Sequence, residues 1–237
     1  MSQIKALTFD VFGTVVDWRS SVAREAEAVL GPKGHRLDWA GFADRWRARY
    51  VPSMARVRRG ERPFVILDDL HRENLLELLA ESGVTNLDPV EVDGLNRVWH
   101  RLDPSPDVVD GLARLKRGFI LSSLSNGNVA LMVNLAKRAG LPWDVILGAE
   151  VARAYKPAAE AYDRTASMLQ LEPCECLMVA AHAQDLRAAA GRGFHTAYVH
   201  RADEFGPSQA DRPWPSDAFD YRVSSFFELA DRLGLDS

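Results

Sequence analysis

Phe9-Asp10-Val11-Phe12-Gly13-Thr14-Val15-Val16-Asp17 is the stretch on which the reading of this chain turns. It continues an apolar run from Ile4 that reads as a buried strand, and it delivers one carboxylate, Asp10, into a Gly-Thr turn. A carboxylate just past the first strand of a parallel sheet lies where open α/β sheets bind ligands. There it is placed to act as a nucleophile and form a covalent intermediate. Two residues on stands Phe12, not a second acid.

Downstream of that stretch the pattern is helical. Ser20 or Ser21 is placed to cap a helix through Leu30, which Gly31-Pro32 stops. Asp38 opens a second, with Trp39, Phe42, Trp46 and Tyr50 at helical spacing and Pro52 expected to end or kink it. A third helix is read from Leu67 to Ser82 and a fourth from Val90 to Leu102, with no strand pattern between them. From Ser105 the pattern alternates. Strands are read at Phe119–Leu124, Val145–Ala149, Leu177–Ala181 and Thr196–Val199, with helices from Ser105 to Lys116, Asn128 to Ala139, Ala158 to Leu169 and Ala183 to Gly191. Such alternation predicts a doubly wound α/β fold with a parallel sheet covered on both faces. Residues 1–17 and 103–237 form the expected core, and 18–102 an inserted helical domain. Phe205 to Asp220, rich in Pro and Asp, reads as a surface loop.

Bulk properties narrow the function. A net charge of −4, from 29 basic and 33 acidic residues, carries no nucleic-acid footprint. The basic stretch Arg45 to Arg62 reads as a solvated helix face or as an attractor of small anions. No apolar run approaches the roughly 18 to 20 residues that span a bilayer, and no secretory signal precedes the first strand. Cytoplasmic residence is the expectation, with Cys174 and Cys176 as reduced structural thiols.

Four chemically suggestive groups fall just beyond predicted strands: Asp10, Ser125-Asn126-Gly127, Tyr155-Lys156-Pro157, and Ala180-Ala181-His182-Ala183-Gln184-Asp185. Each alone has a bland reading, as a turn residue, a loop cation or a first-turn helix acid. Together, in one crevice, they resemble in order the four motifs of the haloacid dehalogenase superfamily, and the helical insert resembles its cap. Most members of that superfamily resemble phosphatases, with an Asp two places after the nucleophile to protonate the leaving oxygen and help hold magnesium. Phe12 can do neither. Halide leaves as a stable anion and needs no acid, so Phe12 suits carbon–halogen cleavage. A phosphonate-cleaving role would need a cap lysine for a Schiff base, and between Ser20 and Arg101 the chain offers only Lys33, beside Gly31-Pro32.

The resemblance is to the type II 2-haloacid dehalogenases. It rests also on Trp46-Arg47, similar to that family's cap pair, and on Tyr162 six residues after Lys156. It implies that Asp10 attacks the halogen-bearing carbon in an SN2 step, that Lys156 keeps Asp10 charged, and that Asp185 positions the water that hydrolyses the ester. Arg47 and Asn126 would stabilise the halide. Ser125, Thr14 and neighbouring backbone would bind the substrate carboxylate or orient Asp10, with Val11, Phe12 and Tyr162 lining the substrate. No metal or other cofactor is implied. The implied partner is a small haloacid, with no nucleic acid and no membrane, and the family expectation is a homodimer. The fourth motif departs from the family, which has Ser and Asn where this chain has Ala180 and His182, and Trp where Gln184 stands. His182 is open to two readings, a partner in water activation or a neutral hydrogen-bonding spacer. Trp18, Phe12 and Trp46 are bulky enough to narrow the pocket toward haloacetates. A phosphatase-like hydrolase and an idle binding protein on the same fold remain the competing readings.

Overall fold

A computed structural model describes residues 3–210 and 213–235. Its centre is β1 (Ala6–Phe9), buried along its whole length, which is why it is apolar apart from Thr8, whose hydroxyl donates to the Leu177 carbonyl. The parallel strands β4 (Ile120–Ser125), β5 (Val145–Gly148), β6 (Cys176–Ala180), β7 (His195–Val199) and β8 (Tyr221–Val223) complete a sheet of order β5-β4-β1-β6-β7-β8. The chain runs outward from β1 through β4 to β5, then returns to place β6 on the other side of β1. That reversal opens a crevice at the carboxyl ends of β4, β1 and β6. Register aligns those ends, since Phe9 pairs with Ser123 on one side and Val179 on the other. The sheet is flanked by α5 (Val108–Leu115), α6 (Val129–Ala139), α7 (Ala149–Ala152), α8 (Ala159–Met168), α9 (Ala183–Ala190) and α10 (Phe226–Arg232).

After the Asp10 turn the chain leaves the sheet through β2 (Val16–Asp17) and returns through β3 (Asp103–Pro104), two short antiparallel strands paired Val16 to Pro104 and Asp17 to Asp103. Between them lie α1 (Trp18–Leu30), α2 (Trp39–Arg58), α3 (Leu67–Glu81) and α4 (Pro89–Asn96). Several hydrogen bonds tie these helices to the sheet. Tyr155 donates its hydroxyl to the Val65 carbonyl at 2.6 Å, and Asn128 donates to Asp68 at 2.9 Å. Asp68 in turn meets His100 Nε2 at 3.0 Å.

Several local expectations are corrected. The cap of α1 is Asp17, which accepts from Ser20 N at 3.0 Å, so neither Ser20 nor Ser21 caps it; an Asp oxygen reaches the N3 amide as well as a Ser does. α2 runs on past Pro52 to Arg58. The fourth helix stops at Asn96 and tightens into a 3₁₀ turn, Arg97–His100. The sequence reading includes neither the β2–β3 pair nor β8 nor α10: strands of two or three residues carry too little alternation to read, and a seven-residue helix too few turns. The stretch read as a loop from Phe205 includes a 3₁₀ turn, Pro207–Gln209, and two of its residues, 211 and 212, lie outside the described residues. Among the described residues no helix is long and apolar enough to cross a membrane.

Candidate active site

Asp10 follows β1, and its backbone N–H donates to the Val179 carbonyl of β6 at 3.0 Å. This holds the carboxylate over the crevice. Lys156 arrives from the loop before α8, anchored by its own N–H to Asn126 Oδ1 at 2.8 Å. Its ammonium donates to Asp10 Oδ1 at 2.9 Å and also to Asp185 Oδ2. Asp185, in the first turn of α9, accepts on its other oxygen from the Tyr162 hydroxyl at 2.5 Å. All of these groups are buried. Burial works to raise the Asp10 carboxyl, but the Lys156 charge and His182 override it and hold the group well below its ordinary value. Burial likewise opposes the Lys156 charge, and the Asp10 and Asp185 carboxylates outweigh it, holding the ammonium protonated. For Asp185 burial wins: with the Asp10 charge it raises this carboxyl despite Lys156. The two acids are thus set apart, Asp10 as a permanent anion and Asp185 as the more basic group.

On the other side of Asp10, Oδ2 accepts from Thr14 Oγ1 at 2.9 Å and pairs with His182 Nδ1 at 2.9 Å. The Ala181 N–H donates to Thr14 Oγ1 at 2.9 Å, leaving the Thr14 hydrogen for Asp10. His182 Nε2 meets Glu204 Oε1 at 2.7 Å. Burial alone would favour neutral imidazole, but the Glu204 charge and the Asp10 hydrogen bond push His182 up to about 10. With a carboxylate on each ring nitrogen, imidazolium is the form this arrangement favours. Glu204 is packed beneath the Gly13 turn: Gly13 has φ +83°, and a Cβ there would overlap the Glu204 carboxylate. Arg201 fastens the same turn, donating to the Thr14 carbonyl at 2.8 Å while pairing with Asp107 at 2.7 Å.

The groups open into a cavity of about 220 Å³, lined among others by Asp10, Arg47, Tyr50, Asn126, Lys156 and His182. Arg47 and Arg58 are the members of the basic stretch that reach the cavity, Arg58 donating to the Lys156 carbonyl at 3.3 Å, whereas Arg49 and Arg62 pair with Glu81 and Glu73. The Arg47 guanidinium carbon lies 4.0 Å from the centroid of the Tyr50 ring, 5.5 Å from Trp18 and 5.8 Å from Phe12. Its Nη1 is buried and has no hydrogen-bond partner among the described residues. Aromatic faces stabilise a cation but accept no strong hydrogen bond, so this donor is chemically suited to a small anion. Asn126 spends its carbonyl on Lys156 and one amide hydrogen on the Tyr50 hydroxyl, with the second amide hydrogen left for the cavity.

The site brings together Asp10, Lys156, Asp185, Asn126, Thr14, His182 and Arg47, but four other residues expected at the substrate do not line the cavity. Tyr162 does not line the cavity and instead grips Asp185. Ser125 lies fully buried behind the strand end, accepting from the Gly127 N–H at 3.1 Å, and presents nothing to the cavity. Val11 is a core residue whose carbonyl closes the turn, accepting from Val15 N at 2.9 Å. Phe12 likewise does not line the cavity: it stands behind the Arg47 guanidinium, 5.7 Å from Trp99 and 6.5 Å from His71 by ring centroids. His71 stacks on Trp99 at 4.3 Å, and burial together with the Arg47 charge pushes it down to about 3, so it is neutral. Tyr50, His71 and Glu204 escaped the sequence reading. Tyr50 had a signal, one turn beyond Arg47 on the same helix face; the other two had none. Lys33, the only cap lysine, is paired with Glu91 at 2.6 Å, away from the cavity. Among the described residues no cluster of three His, Cys, Asp or Glu side chains is arranged to hold a metal ion; the cation between Asp10 and Asp185 is the Lys156 ammonium.

Comparison with known proteins agrees with this geometry. Residues 4–193 match the family of haloacid dehalogenase-like hydrolases. The defluorinating L-2-haloacid dehalogenase Rha0230 has a structure superposing with a TM-score of 0.94, at 47% identity over 97% of this chain and 95% of that one. The L-2-haloacid dehalogenase PA0810 superposes with a TM-score of 0.93, at 40% identity over 98% and 100% of the two chains. An (S)-2-haloacid dehalogenase of Pseudomonas sp. (strain CBS-3) is 27% identical over 86% of this chain and 88% of its own length. The chain belongs to the haloacid dehalogenase-like hydrolase family, on the branch of its L-2-haloacid dehalogenases.

Proposed function

We propose that the protein is a hydrolytic dehalogenase that releases halide from short 2-haloalkanoic acids and yields the 2-hydroxy acid. The observation that carries this reading is the buried, unpartnered Nη1 of Arg47 in an aromatic cage beside Phe12. A leaving group that departs there finds a positive charge and aromatic faces, and Phe12 stands at the position two residues after the nucleophile where an acid would be needed. This suits halide, which needs no proton, and fails an alkoxide, which does. Asp10, kept ionised by Lys156, attacks the halogen-bearing carbon. The carbon–halogen pair leaves with the halide toward Arg47 and Asn126, and an aspartyl ester remains. Asp185, the more basic carboxylate, takes a proton from the water that attacks the ester at Asp10 Cγ. Only the first step touches the substrate carbon, so its configuration inverts. No metal takes part.

The 47% identical relative is a defluorinating enzyme, and the cavity is compact, so fluoroacetate belongs among the substrates tried. Halide release is to be measured from chloro-, bromo- and fluoroacetate and from both 2-chloropropionate enantiomers, with EDTA present throughout. The expected result is release undiminished by EDTA, with one enantiomer preferred. Inert haloacids together with magnesium-dependent cleavage of a phosphoester would establish the phosphatase-like alternative instead. Arg47→Lys should lower kcat/KM by about 100-fold, because an ammonium lacks the planar fork that fits the cage. Unchanged steady-state halide release in that variant would remove Arg47 from the leaving-group site.

A further inference from the structure

The two oxygens of Asp10 are not equivalent. A carboxylate oxygen carries two lone pairs. On Oδ2 both are engaged, one by the Thr14 hydroxyl and one by His182 Nδ1, each at 2.9 Å. Among the described residues Oδ1 accepts only from the Lys156 ammonium, at 2.9 Å, which leaves one lone pair. From this asymmetry we infer that Oδ1 is the attacking oxygen and Oδ2 the future carbonyl oxygen of the ester, so that Thr14 and His182 form a ready-made oxyanion hole for its hydrolysis, with Glu204 as the positioning residue that keeps His182 a charged donor. The inference rests on the dehalogenase reading and deepens it.

The geometry asks for such a hole. When water adds to Cγ, the carbonyl pair moves onto Oδ2, which becomes the site of developing charge. Donors already in place at that oxygen lower the barrier without reorganising. Thr14 is fixed as a donor because its oxygen is occupied by the Ala181 N–H. His182 is fixed by Glu204 Oε1 at 2.7 Å on its far nitrogen. Once Asp10 is esterified its charge is gone, and Glu204 becomes the remaining carboxylate bonded to the ring. The Glu204 side chain is 1% exposed, lies under Gly13 and accepts from Trp18 Nε1 at 3.4 Å, so it follows no movement of solvent.

The water oxygen bonds to Cγ while one of its protons passes to Asp185. The electron pair on Oδ2 returns, the Cγ–Oδ1 bond breaks, and Oδ1 departs as the hydroxyl oxygen of the product, taking the proton from Asp185. The second water proton is released when the Asp10 carboxyl returns to carboxylate. His182 gives up no proton in this sequence. That distinguishes it from a general base.

The test separates halide release from ester hydrolysis by rapid mixing of excess bromoacetate with wild type, His182→Ala, His182→Asn and Glu204→Gln, with the Asp10 ester followed by intact-protein mass spectrometry. In His182→Ala the hydrolysis step should slow by about 100-fold, as for loss of one oxyanion donor, so that a halide burst of one per site precedes slow turnover and the ester accumulates. His182→Asn keeps an N–H donor but cannot act as a base, and it should recover most of the lost rate. Glu204→Gln should slow hydrolysis and accumulate ester in the same way, without loss of the burst. His182→Asn no faster than His182→Ala would overturn the oxyanion role and make His182 a base. A Glu204→Gln enzyme that turns over at the wild-type rate would remove Glu204 from the device. Absence of any halide from the wild type would overturn the dehalogenase reading itself, and this inference with it.

Discussion

Asp10→Asn should abolish turnover while leaving the fold intact. The amide is isosteric with the carboxylate but carries no charge and is a poor nucleophile, so neither the SN2 step nor the ester can form. Loss of an attacking residue that works as part of a unit costs roughly 10⁴-fold or more in kcat, and halide release should fall to the detection limit. The arrangement of charges explains why the protein still folds. Lys156 retains Asp185, and His182 retains Glu204, so neither buried cation is left without an anion. Circular dichroism and thermal unfolding of the variant verify the fold, and ion chromatography verifies the loss of halide. A variant that still released halide at the wild-type rate would take the nucleophile assignment away from Asp10.

Lys156→Met is the second large effect, and it combines activity with stability. The ammonium lies between two buried carboxylates. Removing one partner of a buried ionic cluster costs about 3–5 kcal/mol, because uncompensated charge remains inside. Burial and mutual repulsion would then raise both carboxyls, so that Asp10 takes up a proton and ceases to be a nucleophile. The pH dependence has a definite sense. In the wild type the Asp10 carboxyl is held below its ordinary value of 3.8, so its contribution to stability is present above that value and is lost on acidification. In the variant the carboxyls are raised, which destabilises the fold as pH rises past their unfolded values. The stability deficit of Lys156→Met relative to wild type should therefore be widest near neutrality and narrow toward about pH 4. Urea denaturation of both proteins at pH 7 and pH 5 measures it. Equal deficits at the two pH values would show that the loss is one of packing, not of charge.

Much of the candidate site was legible in the chain. Asp10, Asn126 and the His182–Asp185 segment follow strands directly, and in a parallel sheet every strand ends at the same edge. Lys156 is less direct: it comes eight residues after β5, beyond α7, and its place depends on the Asn126 hydrogen bond to its backbone. Arg47 shows the limit from the other side. Arg45, Arg47 and Arg49 look alike in one dimension, and only the packing of α2 against Trp18 and Phe12 decides that Arg47 is the one turned inward.

By itself, then, the sequence determined the parallel α/β class, the convergence of the strand-end groups and, through Phe12, the absence of an acid at the leaving-group position. These follow from local periodicity and from which residue types stand at strand ends. Tertiary structure alone decided what each group does. It turned Tyr162 toward Asp185 and away from the cavity, sank Ser125 behind its strand, and charged His182 by bringing Glu204 beneath the Gly13 turn from a stretch 22 residues later. Protonation state and hydrogen-bond direction depend on distances of about 3 Å between segments far apart in the chain, and such distances are set by packing.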